Sequence, residues 1–127
     1  MTADPCPCGT GSGYPECCGG FHAGAPAPTA ETLMRSRYSA YALGLAAYVA
    51  VTWHPATRPD RLDLGEGITW RRLQIVDTVA GGTQDAEGVV EFRASYRSPD
   101  GPGLLHERSR FLRIDDRWLY LDGELRD

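Results

Sequence analysis

Every cysteine of the chain falls within thirteen residues, as Cys6, Cys8, Cys17 and Cys18 in the spacing C-x-C-x8-C-C. Two thiols stand on each side of a loop in which Gly9, Gly11, Gly13 and Pro15 let the backbone fold sharply back, so four thiolates can meet in a tetrahedron. Zinc favours sulfur ligands in closed four-coordinate structural sites, and a glycine-rich loop leaves backbone N–H groups free to donate to them. Disulfides are the rival chemistry, since four cysteines allow three connectivities. Bridges within Cys6/Cys8 or Cys17/Cys18 are strained by their short separations, whereas crossed bridges are not excluded by spacing. His22, close behind Cys18, is an alternative metal ligand and ranks second to it.

The elements that must position this cluster belong to a chain of 127 residues, long enough to form a core unaided. With 42% hydrophobic and 24% charged residues the composition is that of a globular protein, and nothing approaches the roughly 18 consecutive apolar residues of a membrane span. Met1-Thr2-Ala3-Asp4-Pro5 has neither a basic start nor an apolar run, from which we expect a cytoplasmic protein. In that reducing compartment clustered cysteines bind metal more often than they pair. A net charge of −4 and a pI near 5.3 argue against a nucleic-acid binder, which normally carries a basic excess. All 13 basic residues are arginine, which we read as codon bias in a GC-rich bacterial genome.

Residues 19–30 are small, with two prolines and three glycines, and are expected to form neither a regular helix nor a central strand. We divide the chain into a metal-binding segment 1–22, a linker 23–30 and a domain 31–127, with the core wholly after the linker and the metal segment separable from it. Thr29 is placed to cap a helix beginning near Glu31, and Met34, Tyr38, Tyr41, Leu45, Tyr48, Val49 and Trp53 recur at helical spacing along one face. Gly44 weakens the middle by about 1 kcal/mol relative to alanine, so a break is expected near Gly44–Leu45, and His54-Pro55 ends the segment. Residues 68–79, 89–97, 104–114 and 118–121 alternate as four antiparallel strands joined by turns at Gly81-Gly82, Pro99-Asp100-Gly101 and Asp115-Asp116. The fold class is α+β, a zinc knuckle followed by one long helix against a curved four-stranded sheet.

Two resemblances follow from these residues. The pattern C-x-C-G-[ST]-G-x5-C-[CH] over Cys6–Cys18 resembles the SEC-C zinc motif at the tail of SecA translocation ATPases, whose last two ligands are adjacent. That resemblance implies Cys6, Cys8, Cys17 and Cys18 as ligands of one structural zinc, with His22 outside the ligand set. The SecA-type loop is rich in lysine, whereas residues 11–16 here contain none. The blocks Leu33–Tyr41, Thr52-Trp53-His54-Pro55, His106–Phe111 and Trp118–Gly123 resemble, in order, the YchJ family. This implies a SEC-C motif coupled to a cone-shaped domain similar to nuclear transport factor two and cystatin, in bacterial metal-binding proteins without an established reaction.

Strand alternation puts Leu105, Glu107, Ser109 and Phe111 on one face of the third strand and Glu91 and Arg93 together on the second. A pocket in the cone is therefore expected to draw on His54, Glu91, Glu107 and Ser109, where a His/Glu pair within reach could do acid/base work. No catalytic residue is assigned, since charged residues on antiparallel strands are usually a solvated, ion-paired face. Tyr38, Tyr41, Tyr48 and Trp53 read as core before they read as an aromatic cage, and Arg35 and Arg37 as wet residues flanking the buried helix face. Our reading is a zinc-binding, non-enzymatic adaptor whose knuckle offers Pro7, Tyr14, Pro15 and Phe21 to a protein partner. The competing class is a ligand-binding protein or enzyme with its pocket in the cone, which an open cavity would favour over a packed one.

Overall fold

The computed structural model describes residues 5–65 and 67–126. Residues 1–4 of the expected knuckle segment, and Glu66 and Asp127 of the expected domain, lie outside the described residues. After the first cysteine pair comes a 3-10 turn, Tyr14–Glu16, and a short helix α1, Cys18–His22. The expectation that Gly19 and Gly20 exclude helix is thus corrected. A Cβ at Gly19 would stand 2.7 Å from the Tyr14 carbonyl oxygen, so glycine serves here to let α1 approach the preceding turn.

Helix α2, Ala30–Leu43, begins at Thr29, whose side-chain oxygen accepts from the Thr32 amide at 3.1 Å. Gly44 closes it in the left-handed conformation with φ of 75°, which glycine adopts without a Cβ penalty. Helix α3, Ala46–Val51, follows, so the break falls where the sequence reading puts it. The chain then stitches onto the last strand: the Tyr120 amide donates to the Thr52 carbonyl and the His54 amide to the Tyr120 carbonyl, both at 2.8 Å.

Four antiparallel strands, β1 Thr69–Ala80, β2 Glu87–Ser98, β3 Gly101–Ile114 and β4 Arg117–Leu125, pair in sequence order. Asp115 and Asp116 make the β3–β4 turn with φ of 51° and 64°, the left-handed pair that a two-residue hairpin requires and that Asp tolerates. Register shifts between Trp70 and Arg72, between Ile75 and Asp77, and between Arg110 and Phe111 bend the edge strands, which curves the sheet around α2. Its inner face buries Leu73, Val90, Phe92, Phe111 and Trp118 against Leu33, Met34 and Tyr38 of α2.

The core does not begin after the linker. Cys6, Cys8, Cys18 and Ala27 belong to the same continuous buried cluster as α2 and the sheet. Helix α2 is buried on the side of the cysteine loop as well as that of the sheet, with Ser36, Ser39 and Ala40 fully hidden. No helix among the described residues is long and apolar enough to cross a membrane.

The start of α2 is tied to the β1–β2 hairpin, with the Ala30 amide donating to the Gly81 carbonyl at 2.9 Å. A Cβ on Gly88 would meet the Gly81 Cα at 2.5 Å and the Ala30 Cβ at 3.1 Å, backbone and near-backbone atoms that cannot swing aside. Gly88→Ala is expected to lower stability by about 1–3 kcal/mol, the usual cost of overpacking. Urea unfolding checks this, and an unchanged midpoint would show that the junction has slack.

Candidate metal centre and cone cavity

The Cys6, Cys8, Cys17 and Cys18 sulfurs all lie within 4.8 Å of one another, with Cys8 and Cys17 at 3.6 Å. Zinc–sulfur bonds of about 2.3 Å in a tetrahedron separate sulfurs by about 3.8 Å, so the cluster fits one four-coordinate ion. Three of the cysteines are buried and Cys17 is half-buried. Hydroxyls surround the sulfurs. Ser39 Oγ donates to Cys18 Sγ at 3.2 Å and lies 3.5 Å from Cys6 Sγ, while Thr10 Oγ1 is 3.2 Å from Cys17 Sγ. Such hydroxyl donors stabilise thiolates and orient metal ligands. The thiols share charge unevenly. The hydrogen bond from Cys18 draws Cys8 down to about 4, against the opposing effect of burial. Cys18 is pushed up by that same bond and then by burial, and Cys17 is pushed up first by burial.

Helix α2 holds the loop from beneath. Arg35 donates through one terminal nitrogen to the Cys8 carbonyl at 2.9 Å and through Nε to Glu31 at 3.1 Å. His22 spends both ring nitrogens away from the sulfurs, Nδ1 with the Tyr14 hydroxyl at 2.6 Å and Nε2 on the Ser36 carbonyl at 2.8 Å. Its place is that of a clamp between α1 and α2, outside the group of four sulfurs.

A second feature lies on the far side of α2. Between that helix and the concave face of the sheet is a cavity of about 230 Å³, walled by aromatic side chains and by Arg37 and Glu107. Arg37 is only 3% exposed. One of its terminal nitrogens donates to the Val49 carbonyl at 3.0 Å and to Thr52 Oγ1 at 2.7 Å. Its guanidinium carbon sits 5.2 Å from the Trp53 ring centroid and 4.7 Å from that of Tyr120, so two π-faces replace part of the water it has lost. Glu107 enters from β3, its Oε2 accepting from Ser109 Oγ at 2.7 Å.

Sequence comparison places these features. The family described as YchJ, middle NTF2-like domain, matches residues 29–123. The chain belongs to the YchJ family. Across its full length it is 56% identical to a UPF0225 protein of Streptomyces coelicolor, 100% of both chains being covered. A UPF0225 protein of Xanthomonas campestris is 51% identical over 94% of each chain. The solution structure of a SEC-C motif protein from Rhodopseudomonas palustris matches with a TM-score of 0.84 at 34% identity, covering 98% of this chain and 100% of that one. A crystal structure of a SEC-C motif protein from Psychrobacter arcticus matches with a TM-score of 0.80 at 31% identity, covering 98% and 84%. The four-cysteine cluster that could hold a metal is therefore the SEC-C motif of a YchJ-family protein.

Of the four residues expected around a pocket in this YchJ-family fold, Glu107 lines the cavity and Ser109 stands behind it as its hydrogen-bond donor. His54 and Glu91 are corrections. His54 caps a turn, its Nδ1 accepting from the Ala56 amide at 3.0 Å. Glu91 is on the opposite face of the sheet, paired with His106 at 2.8 Å and Arg108 at 2.9 Å, because its neighbours Val90 and Phe92 take the inner face. Arg37, expected to be wet, is buried, and Tyr38, Tyr41 and Trp53 wall the cavity together with Trp70 and Tyr120. The Leu33–Tyr41 and Thr52–Trp53 blocks already contained part of this wall, yet nothing in their helical spacing marks a hollow.

Burial pushes the phenol of Tyr38 up to about 12 and raises those of Tyr41, Tyr48 and Tyr120 above the ordinary value. A raised folded-state pKa means that the unfolded chain ionises first. The stability these rings contribute is complete below pH 10 and is lost as pH climbs toward about 12. Tyrosinate absorbance should rise late and together with loss of near-UV circular dichroism. Titration of these rings at the ordinary value, with the fold intact, would show that they are wet.

Proposed function

We propose that this protein is a small-molecule-binding protein of the YchJ family whose cone is organised by one structural zinc, held by Cys6, Cys8, Cys17 and Cys18. The observation that carries the reading is the hollow in the cone: helix and sheet leave about 230 Å³ between them, and a buried arginine and a glutamate face into it. A purely structural cone would gain by filling that space with apolar side chains. The zinc assignment rests on the four sulfurs gathered within 4.8 Å of one another and on the hydroxyls beside them. Free thiols in this arrangement suit a reducing compartment, and we place the protein in the cytoplasm.

Binding without turnover is the simpler chemistry for this site. Glu107 is the carboxylate among the residues walling the cavity, and the hydroxyl it holds, Ser109, is fully buried behind it. The adaptor reading draws less support from the geometry. Of the four residues expected to meet a protein partner, Tyr14 and Phe21 pack against the core, Pro7 is half-buried and Pro15 alone is exposed.

Two measurements test the two halves of this proposal. Elemental analysis of protein purified without chelator should give one zinc per chain, and chelation should diminish the near-UV signal of Trp70 and Trp118, whose cluster includes Cys6, Cys8 and Cys18. Two disulfides with no metal, or a spectrum indifferent to chelation, would refute the structural zinc. Leu105→Phe, which adds volume from the cavity wall, should leave stability unchanged or raise it by about 0.5–2 kcal/mol, as cavity filling does. A clear loss on thermal unfolding would mean that the space is too small to receive a ligand.

A further inference from the structure

Resting on the small-molecule reading, the polar groups of the cavity narrow what it can take. Arg37 uses both protons of one terminal nitrogen on Val49 and Thr52, which leaves three N–H groups, one of them within reach of the Tyr41 hydroxyl. Burial raises the Tyr41 phenol, and the Arg37 charge and a hydrogen bond from Arg37 oppose that rise. Arg37 forms no ion pair among the described residues, although the Glu107 charge reaches it and favours its protonated form. Opposite charges therefore wall one hollow without closing on each other. Trp70, on the same wall, keeps its indole N–H buried and without a partner among the described residues, an arrangement that costs free energy.

These groups present a donor at Arg37 and an acceptor at Glu107 Oε1, the oxygen that Ser109 leaves free. A carboxylate would gain Arg37 but meet Glu107. An ammonium would gain Glu107 but meet Arg37, which already covers the Trp53 and Tyr120 faces that a cation would seek. A neutral group carrying an acceptor and a donor on the same carbon satisfies both. The space sets the rest: an apolar cavity of about 150 Å³ accommodates benzene, so about 230 Å³ accommodates one ring with one such substituent. We propose that the cone cavity binds a small, neutral, planar molecule bearing a carboxamide or its cyclic equivalent, its carbonyl accepting from Arg37 and its N–H donating to Glu107.

Four size-matched probes separate the alternatives on the zinc-loaded full chain: benzamide, benzoate, benzylammonium and toluene. The indole N–H resonance of Trp70, followed by NMR, reports the site. Benzamide should bind roughly tenfold more tightly than each of the others, the worth of one or two net hydrogen bonds in a buried site. Glu107→Gln, at a half-buried position, removes the negative charge and should shift the preference to benzoate, with near-UV circular dichroism confirming the fold. Preference of the unmutated chain for benzoate, benzylammonium or toluene would overturn the ligand class while leaving a small-molecule site in place. An unchanged ranking in Glu107→Gln would remove Glu107 from recognition and overturn the proposed pose. Failure of all four probes to move the Trp70 resonance would overturn the binding site itself.

Discussion

The structure depends on α2 being buried on two sides at once. A helix that packs on one sheet can turn a polar face to water; this one carries the cysteine loop on its back, so Ser36 and Ser39 are hidden as completely as Ala40. Small hydroxyl residues are what such a position needs. Ser39 can satisfy its hydroxyl on Cys18 and Cys6, and Ser36 on the Leu33 carbonyl and the Tyr48 hydroxyl, while neither holds the loop away from the helix. A larger residue at Ser39 would push out the sulfurs, and an alanine there would leave the Cys18 sulfur without its donor.

Double burial also explains Arg37. With one flank of α2 taken by the loop and another packed on the sheet through Leu33, Met34 and Tyr38, residue 37 has no direction left that reaches water, and its charge must be met inside. The end of α3 meets it with the Val49 carbonyl and the Thr52 hydroxyl, held in place because Thr52, Trp53 and His54 are laced to Tyr120 of β4. The pieces are mutually dependent: the helix break at Gly44 turns α3 back, α3 presents the acceptors, and β4 supplies the Tyr120 ring over the guanidinium.

Much of this was legible where local rules decide. Thr29 and Gly44 bound α2 by capping chemistry, Asp115-Asp116 turns by backbone preference, and the spacing of four cysteines announces a cluster that could hold a metal before any fold is known. Legibility ended where a side chain's meaning depends on what stands opposite. Period-two alternation grouped residues within each strand, Glu107 with Ser109 and Glu91 with Arg93, but it could not say which face was concave, and so Glu91 was credited to a pocket it turns away from. Arg37 was misread because arginine is rarely buried, and the rule fails when a second layer covers its helix. Gly19 and Gly20 were misread because glycine weakens an isolated helix, whereas here the approach of Tyr14 demands glycine at residue 19.

The cysteine cluster and the cavity are joined by the same helix. The loop that carries the sulfurs is tied through the Cys8 carbonyl to Arg35, through Cys18 and Cys6 to Ser39, and through His22 to the Ser36 carbonyl, three points along little more than one turn of α2. Arg37 and Tyr38 leave the helix between those points and enter the cavity. A rigid brace on one face of a helix restricts the rotation and translation of the other, so the loop limits how far the cavity wall can move. That coupling makes a buried, incompletely paired charge tolerable. A looser helix would let Arg37 reach Glu107 and collapse the hollow onto an ion pair, the cheaper arrangement for two charges removed from water. Four sulfurs gathered on one metal would hold them apart.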